Sequence, residues 1–183
     1  DILIRSIAQI SDQRNVVLSI IGGDERAERE LSALRALAEE VGVGDRVRLL
    51  GPRPHEALPP YYNAADVVAV PSFYESFGLV AVEAMASGVP VVASRVGGLA
   101  STVADGRTGY LIPWRCPEPF AEKIELLLRN EELRRALGRA AAERMRSYSW
   151  REVARAVGGV LGALAGEPDE DCSVMTNPVA YGR

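Results

Sequence analysis

The chain has one histidine and two cysteines in 183 residues, and its aromatic content is 6%. A single histidine, His55, leaves a Ser-His-Asp arrangement little support. The cysteines, Cys116 and Cys172, are far apart and match no metal-ligand spacing. They read as reduced thiols rather than a disulfide framework, which favours a cytoplasmic setting. Charge of one sign is also scarce: the formal net charge is −4 and the isoelectric point about 5.2, so no global field draws in nucleic acid or an anionic membrane. No uncharged apolar run approaches 18 residues, so no membrane span is expected. DILIRSIAQI begins on an acid and lacks the basic region and cleavage site of a signal peptide. Neither G-x-G-x-x-G nor G-x-x-x-x-G-K-[ST] occurs, which argues against a dinucleotide fingerprint or a P-loop.

What is present is a domain's worth of apolar residue, 48%. Ile4, Ile7, Ala8 and Ser11 recur at helical spacing and predict an amphipathic first helix. NVVLSIIGG (15–23) reads as a buried strand stopped by Gly22-Gly23, and ERAERELSALRALAEEVG as a helix ended by Gly42. VRLLG (47–51) is a second strand, PRPHEALPP a proline-rich loop, and VVAVPS a third strand reached through YYNAAD. PVVAS (90–94) and GYLIP (109–113) are two more, separated by a Gly-Gly turn and a short helix. Three helical stretches follow: CPEPFAEKIELLLR, EELRRALGRAAAERMRS and YSWREVARAVGGVLGALAG. Short apolar strands alternating with helices predict a doubly wound parallel α/β sheet of five strands. Such a domain ordinarily opens on its central strand, whereas this chain opens on a helix. A sheet lacking its first strand is therefore expected. Residues 1–166 form the expected domain, and EPDEDCSVMTNPVAYGR (167–183) an aperiodic loose tail.

The chemistry concentrates in PSFYESFGLVAVEAMASGVPVVAS (71–94). Glu83 is the one charge in LVAVEAMA, a helix apolar on all sides that should be buried all round. A buried carboxylate must be paired, hydrogen-bonded or turned to a ligand. Arg95 is one candidate partner; hydroxyl groups of a ligand, suited to a pair of acceptor oxygens, are the other. Glu75 precedes it by eight residues, on the turn before the helix. It is either a first-turn acid favoured by the helix dipole or a second carboxylate in the same cleft. Between them, Ser76, Phe77, Gly78 and Leu79 offer backbone N–H groups at a helix start, a ready anion site, with Gly78 permitting close approach. A diphosphate joined at both ends to sugar rings matches an amide cradle flanked by two carboxylates.

ESFGLVAVEAMASGVPVVAS resembles the E-x7-E signature of the retaining glycosyltransferases of the GT-B fold, family 4. The likeness continues through RVGGLASTVADGRTGYLIP and, upstream, VRLLGPRPHEALPPYYNAADVVAVPS, and spans residues 1 to about 164. The resemblance implies the C-terminal, donor-binding half of two Rossmann-like domains facing a cleft. It implies that Glu75 contacts the transferred sugar and that Glu83 holds the nucleotide ribose. Amides of Phe77, Gly78 and Leu79 would face sugar and diphosphate, with Gly97-Gly98 nearby, and the Pro52-Arg53-Pro54 loop would lie beside the base. No cofactor or metal is implied; the nucleotide sugar is a substrate. The family's Arg and Lys for the diphosphate, which stand just before the first helix seen here, have no counterpart, nor has the N-terminal acceptor domain. Weak donor binding and no transfer by this chain alone are expected, in the cytoplasm or at the inner face of the membrane. Alternatives are a nucleotide-sugar epimerase, a glycan phosphorylase, or a non-catalytic nucleotide-binding or interaction module. An open sheet position could also pair with a second copy.

Four features are given plainer roles. Asp169-Glu170-Asp171 fits a metal-binding D-x-D pattern but falls in the aperiodic tail, where a solvated charge run is the simpler reading. His55 is assigned to the surface, capping a helix or approaching the base. Trp150 is expected to anchor the last helix by packing. Arg134, Arg135, Arg139, Arg144 and Arg146 are expected to form a solvated helix face.

Overall fold

A computed structural model describes residues 1–10, 16–23, 28–113 and 116–165. The chain divides into two compact units, Asp1–Arg144 and Met145–Arg183. The expected loose tail, with Cys172 and the D-x-D run, lies outside the described residues.

The first unit opens on α1 (Ile2–Gln9), capped by the Asp1 carboxylate accepting from Ile2 N at 2.6 Å. Then follow β1 (Leu18–Ile21), α2 (Glu28–Glu40) and β2 (Val47–Gly51). A one-turn 3-10 segment, His55–Ala57, leads into α3 (Pro59–Ala64) and β3 (Val68–Val70). The chain continues through α4 (Leu79–Ala86), β4 (Val91–Ser94), α5 (Leu99–Thr102), β5 (Gly109–Ile112), α6 (Pro117–Arg129) and α7 (Glu131–Met145). All five expected strands form, and every strand pair is parallel. PRPHEALPP differs from its expected loop form, because Pro59 begins a helix: its fixed φ suits the first helical positions, where no N–H partner is needed.

The strands fall into two sheets, β1-β2 and β3-β4-β5, rather than one. The consequence shows in burial. β4 is buried along its length, while β1, β2 and much of β3 are only half-buried, against the expectation of burial on both faces. Helix α1 spans the two parts. Ile4 packs with Ala38 and Val43 beside β1, and Ile2, Ile7 and Ile10 pack with Val92, Ile112, Phe120, Ile124 and Leu127. The Ser6 hydroxyl, 2.9 Å from the carbonyl oxygens of both Ile2 and Pro117, ties α1 to α6. Val92 faces this cluster; Val91 and Ala93, equally buried, point to the opposite side by strand alternation, toward α4 and α5.

Two of the helix-face arginines are engaged rather than solvated. Arg144 donates to the carbonyl oxygens of Thr102 and Ser101 at 2.9 and 2.7 Å, satisfying the end of α5. Arg134 donates to Leu127 O at 3.1 Å and pairs with Asp66, also at 3.1 Å. Arg135 and Arg139 are exposed as expected.

In the second unit, α8 (Trp150–Ala165) carries Trp150, Val153, Val157, Leu161 and Leu164 at helical spacing, and all are exposed. Trp150, expected to anchor this helix, is 87% exposed. Among the described residues no helix is long and apolar enough to cross a membrane.

Candidate functional site

Parallel strands bring the loops after β2, β3 and β4 to one edge of the fold, the edge at which open α/β sheets take ligands. The loop after β3 carries Glu75 and leads into α4; the loop after β4 carries Gly97 and Gly98; the loop after β2 carries Arg53 and His55.

The two glycine-bearing loops lock together backbone to backbone. Gly98 N donates to Glu75 O at 2.9 Å, and the Thr102 hydroxyl donates to Phe77 O at 3.3 Å. A Cβ at Gly97 would lie 1.9 Å from Glu75 O, and one at Gly98 would lie 2.5 Å from both Phe77 Cα and Ser76 O. Glu75, Ser76, Phe77, Gly97 and Gly98 are thereby brought together. The reason for the glycines differs from simple turn-making: they admit the neighbouring loop.

Gly78 has φ +91°, the left-handed region, and a Cβ there would meet Leu99 Cδ2 at 2.7 Å. Its need for glycine thus arises inside the fold, without a ligand. Its amide is not free either. The Glu75 carboxylate accepts from Gly78 N at 3.0 Å, closing the turn ahead of α4. The next amides belong to the first turn of α4, which has no partner within the helix and carries the positive end of its dipole. Around them Phe73, Tyr74, Phe77 and Leu79 are exposed, Tyr74 at 82%.

Helix α4 is not buried all round. Ala81, Ala84 and Met85 are fully buried, while Leu79 and Val80 face outward. Glu83 lies between these sides, its side chain 24% exposed. Arg95 is not its partner but pairs with Asp105 instead. Each Glu83 oxygen meets a different donor: Oε1 lies 2.8 Å from His55 Nε2, and Oε2 accepts from the Tyr62 hydroxyl at 2.7 Å. A carboxylate only accepts, so the His55 proton is on Nε2. The hydrogen bond and charge of Glu83 hold the imidazole pKa above its ordinary 6.5, against the opposing effect of desolvation and with a smaller contribution from the charge of Glu56. For Tyr62, burial first and then Glu83 push the phenol pKa above its ordinary 10.

The His55–Tyr62 pair escaped sequence reasoning, which sought an arginine. A signal existed: a half-buried acid needs donors, and YY at 61–62 lies within the short helix packed on α4. Arg53 belongs to the same group, donating through Nε to the Tyr61 hydroxyl at 3.2 Å while remaining exposed. Among the described residues no three His, Cys, Asp or Glu side chains converge as a metal site.

A parallel α/β domain with two carboxylates eight residues apart at its ligand edge is thus defined. The sequence profile of glycosyl transferases group 1 matches residues 1–144, and the chain belongs to that family. The D-inositol 3-phosphate glycosyltransferase of Corynebacterium glutamicum (strain R) is 46% identical over 152 residues, which make up 81% of this chain and 36% of the relative. Sucrose-phosphate synthase from Thermosynechococcus elongatus superposes with a TM-score of 0.80 at 38% identity, covering 90% of this chain and 42% of that protein. Anabaena HepE in complex with UDP-glucose gives 0.75 at 27% identity, covering 90% and 44%. The chain therefore spans well under half the length of each of these relatives.

Proposed function

We propose that residues 1–166 supply the donor-binding half of a retaining glycosyltransferase, which moves a sugar from a nucleoside diphosphate to a hydroxyl acceptor. The observation that carries this reading is Glu83. It is a half-buried carboxylate at the ligand edge whose oxygens are met by two side-chain donors instead of a fixed cation. A side-chain donor of that kind is what a ribose hydroxyl would replace. In the transfer, the bond between the sugar's anomeric carbon and the phosphate breaks, and negative charge develops on the diphosphate. The first turn of α4 is oriented to stabilise that charge electrostatically. Glu75 then orients the sugar, exchanging its contact with Gly78 N for sugar hydroxyls, and Phe77, Gly78, Leu79, Gly97 and Gly98 surround it. Arg53 lies toward the base.

The UDP-glucose complex of the Anabaena relative supports UDP as the first nucleotide to test. The acceptor would be read by a domain outside this chain. The half-buried β1 and β3 also support pairing with a second copy, and the cytoplasmic placement rests on the two separated thiols.

UDP at about a hundred times its dissociation constant is expected to raise stability by about 2.7 kcal/mol. For a chain of this size that is a melting shift of about 5–10 °C. The Glu83→Ala variant, folded but unresponsive, is the expected companion result. Equal shifts in both proteins would overturn the ribose role; no shift with any UDP, GDP or ADP nucleotide would overturn the donor-site reading.

A further inference from the structure

We propose that the two partners of Glu83 act in opposite senses: Tyr62 positions the carboxylate for its ligand, and His55 is a placeholder that the ligand's hydroxyls displace. The inference rests on the reading of Glu83 as the ribose acceptor and deepens it.

The two contacts have similar lengths, 2.7 and 2.8 Å, but different surroundings. Tyr62 sits on α3, which packs against α4, and its hydrogen bond to Glu83 is partly buried. Breaking its bond would leave a partly buried donor unpaired, which is costly. His55 sits on the single 3-10 turn after Pro54, with its side chain 76% exposed. Released from Glu83, it finds water at once. A ligand hydroxyl that donates to Oε1 therefore replaces His55 with little loss, whereas Tyr62 keeps Oε2 and the carboxylate plane in place.

The charges around His55 are Glu83 from α4, Glu56 on its own turn and the Tyr62 hydroxyl from α3; Arg53, in the preceding loop, is held by Tyr61. Both acids favour the protonated ring. Because the folded pKa is raised, the charged contact is fully present below pH 6.5 and is lost as pH rises through the raised value. The placeholder thus competes hardest in acid, and UDP should bind severalfold more tightly at pH 8 than at pH 6.

His55 is the only histidine, so its ring gives a single NMR titration in the 183-residue chain. Its midpoint is expected to fall toward the ordinary value in Glu83→Gln. In Tyr62→Phe it is expected to rise, because removing the phenol leaves more charge on the carboxylate for the imidazole. A Tyr62 with a purely structural role would not move it upward. Saturating UDP is expected to shift the His55 resonances and midpoint to those of a free imidazole. Calorimetry is expected to show Tyr62→Phe binding UDP about tenfold more weakly at both pH values. In His55→Gln the pH 6 to pH 8 difference should vanish. UDP binding that leaves the His55 titration unchanged would overturn this inference while the ribose reading stands. UDP binding equally to wild type and Glu83→Gln would overturn both, as would failure of every UDP, GDP and ADP nucleotide to bind.

Discussion

Gly97→Ala is expected to destabilise the first unit by about 3 kcal/mol or more, among the larger effects available from a single added methyl group. Gly97 has φ +44°, so an alanine there carries about 1 kcal/mol of left-handed strain before any contact is considered. The new Cβ would also stand 1.9 Å from Glu75 O and 3.0 Å from Glu75 C, both backbone atoms. That oxygen cannot move away freely, because it accepts the Gly98 amide at 2.9 Å. Relief requires separating the loop after β3 from the loop after β4, and with it moving Glu75 and the start of α4. The comparison is Gly106→Ala. Gly106 has φ +71° with nothing within 4 Å of an added Cβ, so it isolates the strain at about 1 kcal/mol. Urea unfolding of both variants measures the difference. For a protein of this size the Gly97 variant should melt about 6–12 °C below wild type. It should also lose its response to UDP, since the displaced loop carries one of the two carboxylates. Equal destabilisation by the two substitutions would show that the loops are not locked as described.

The lock between these loops illustrates what a sequence can and cannot disclose. Gly97-Gly98 was legible as a turn after a strand, and VRLLG as a strand with the bounds it adopts, because both follow from local spacing and backbone preference. Helix α1 was legible for the same reason: its isoleucines recur at helical period. The apolar run LVAVEAMA even singled out Glu83 as anomalous, since one charge in an apolar helix stands out without any structure. Its partners did not stand out. His55 lies 28 and Tyr62 21 residues earlier, and only the packing of α3 on α4 brings their donors to the carboxylate. The outward face of α4 was equally hidden, because Leu79 and Val80 are as apolar as Ala84 and Met85. Composition records what a residue would prefer, while the neighbours decide whether it is covered. Arg134 and Arg144 show the converse. On a helix crowded with charge they looked solvated, yet free carbonyl oxygens at Leu127, Ser101 and Thr102 were within reach and took them.

A double-mutant cycle between Gly78 and Leu99 separates two reasons for glycine at the start of α4. Leu99→Ala alone is expected to cost 2–5 kcal/mol, in the range of about 2–5 kcal/mol for removing a fully buried leucine side chain. Gly78→Ala alone combines about 1 kcal/mol of left-handed strain with the 2.7 Å approach to Leu99 Cδ2, the end of a fully buried side chain that must shift to admit the methyl. In the double variant the terminal carbons of Leu99 are gone and the new methyl occupies part of the cavity. The strain persists, because φ +91° is set by the turn rather than by Leu99. The double variant should therefore be more stable than the sum of the singles predicts, by about 1 kcal/mol. Strict additivity would mean that the methyl finds space without Leu99 moving. The same three proteins test whether a ligand also needs the bare backbone at this point. If UDP binding is lost in Gly78→Ala and returns in the double variant, packing alone demanded the glycine. If it stays lost once the core has accepted the methyl, the diphosphate approaches Gly78 itself, and the left-handed turn serves the ligand as well as the fold.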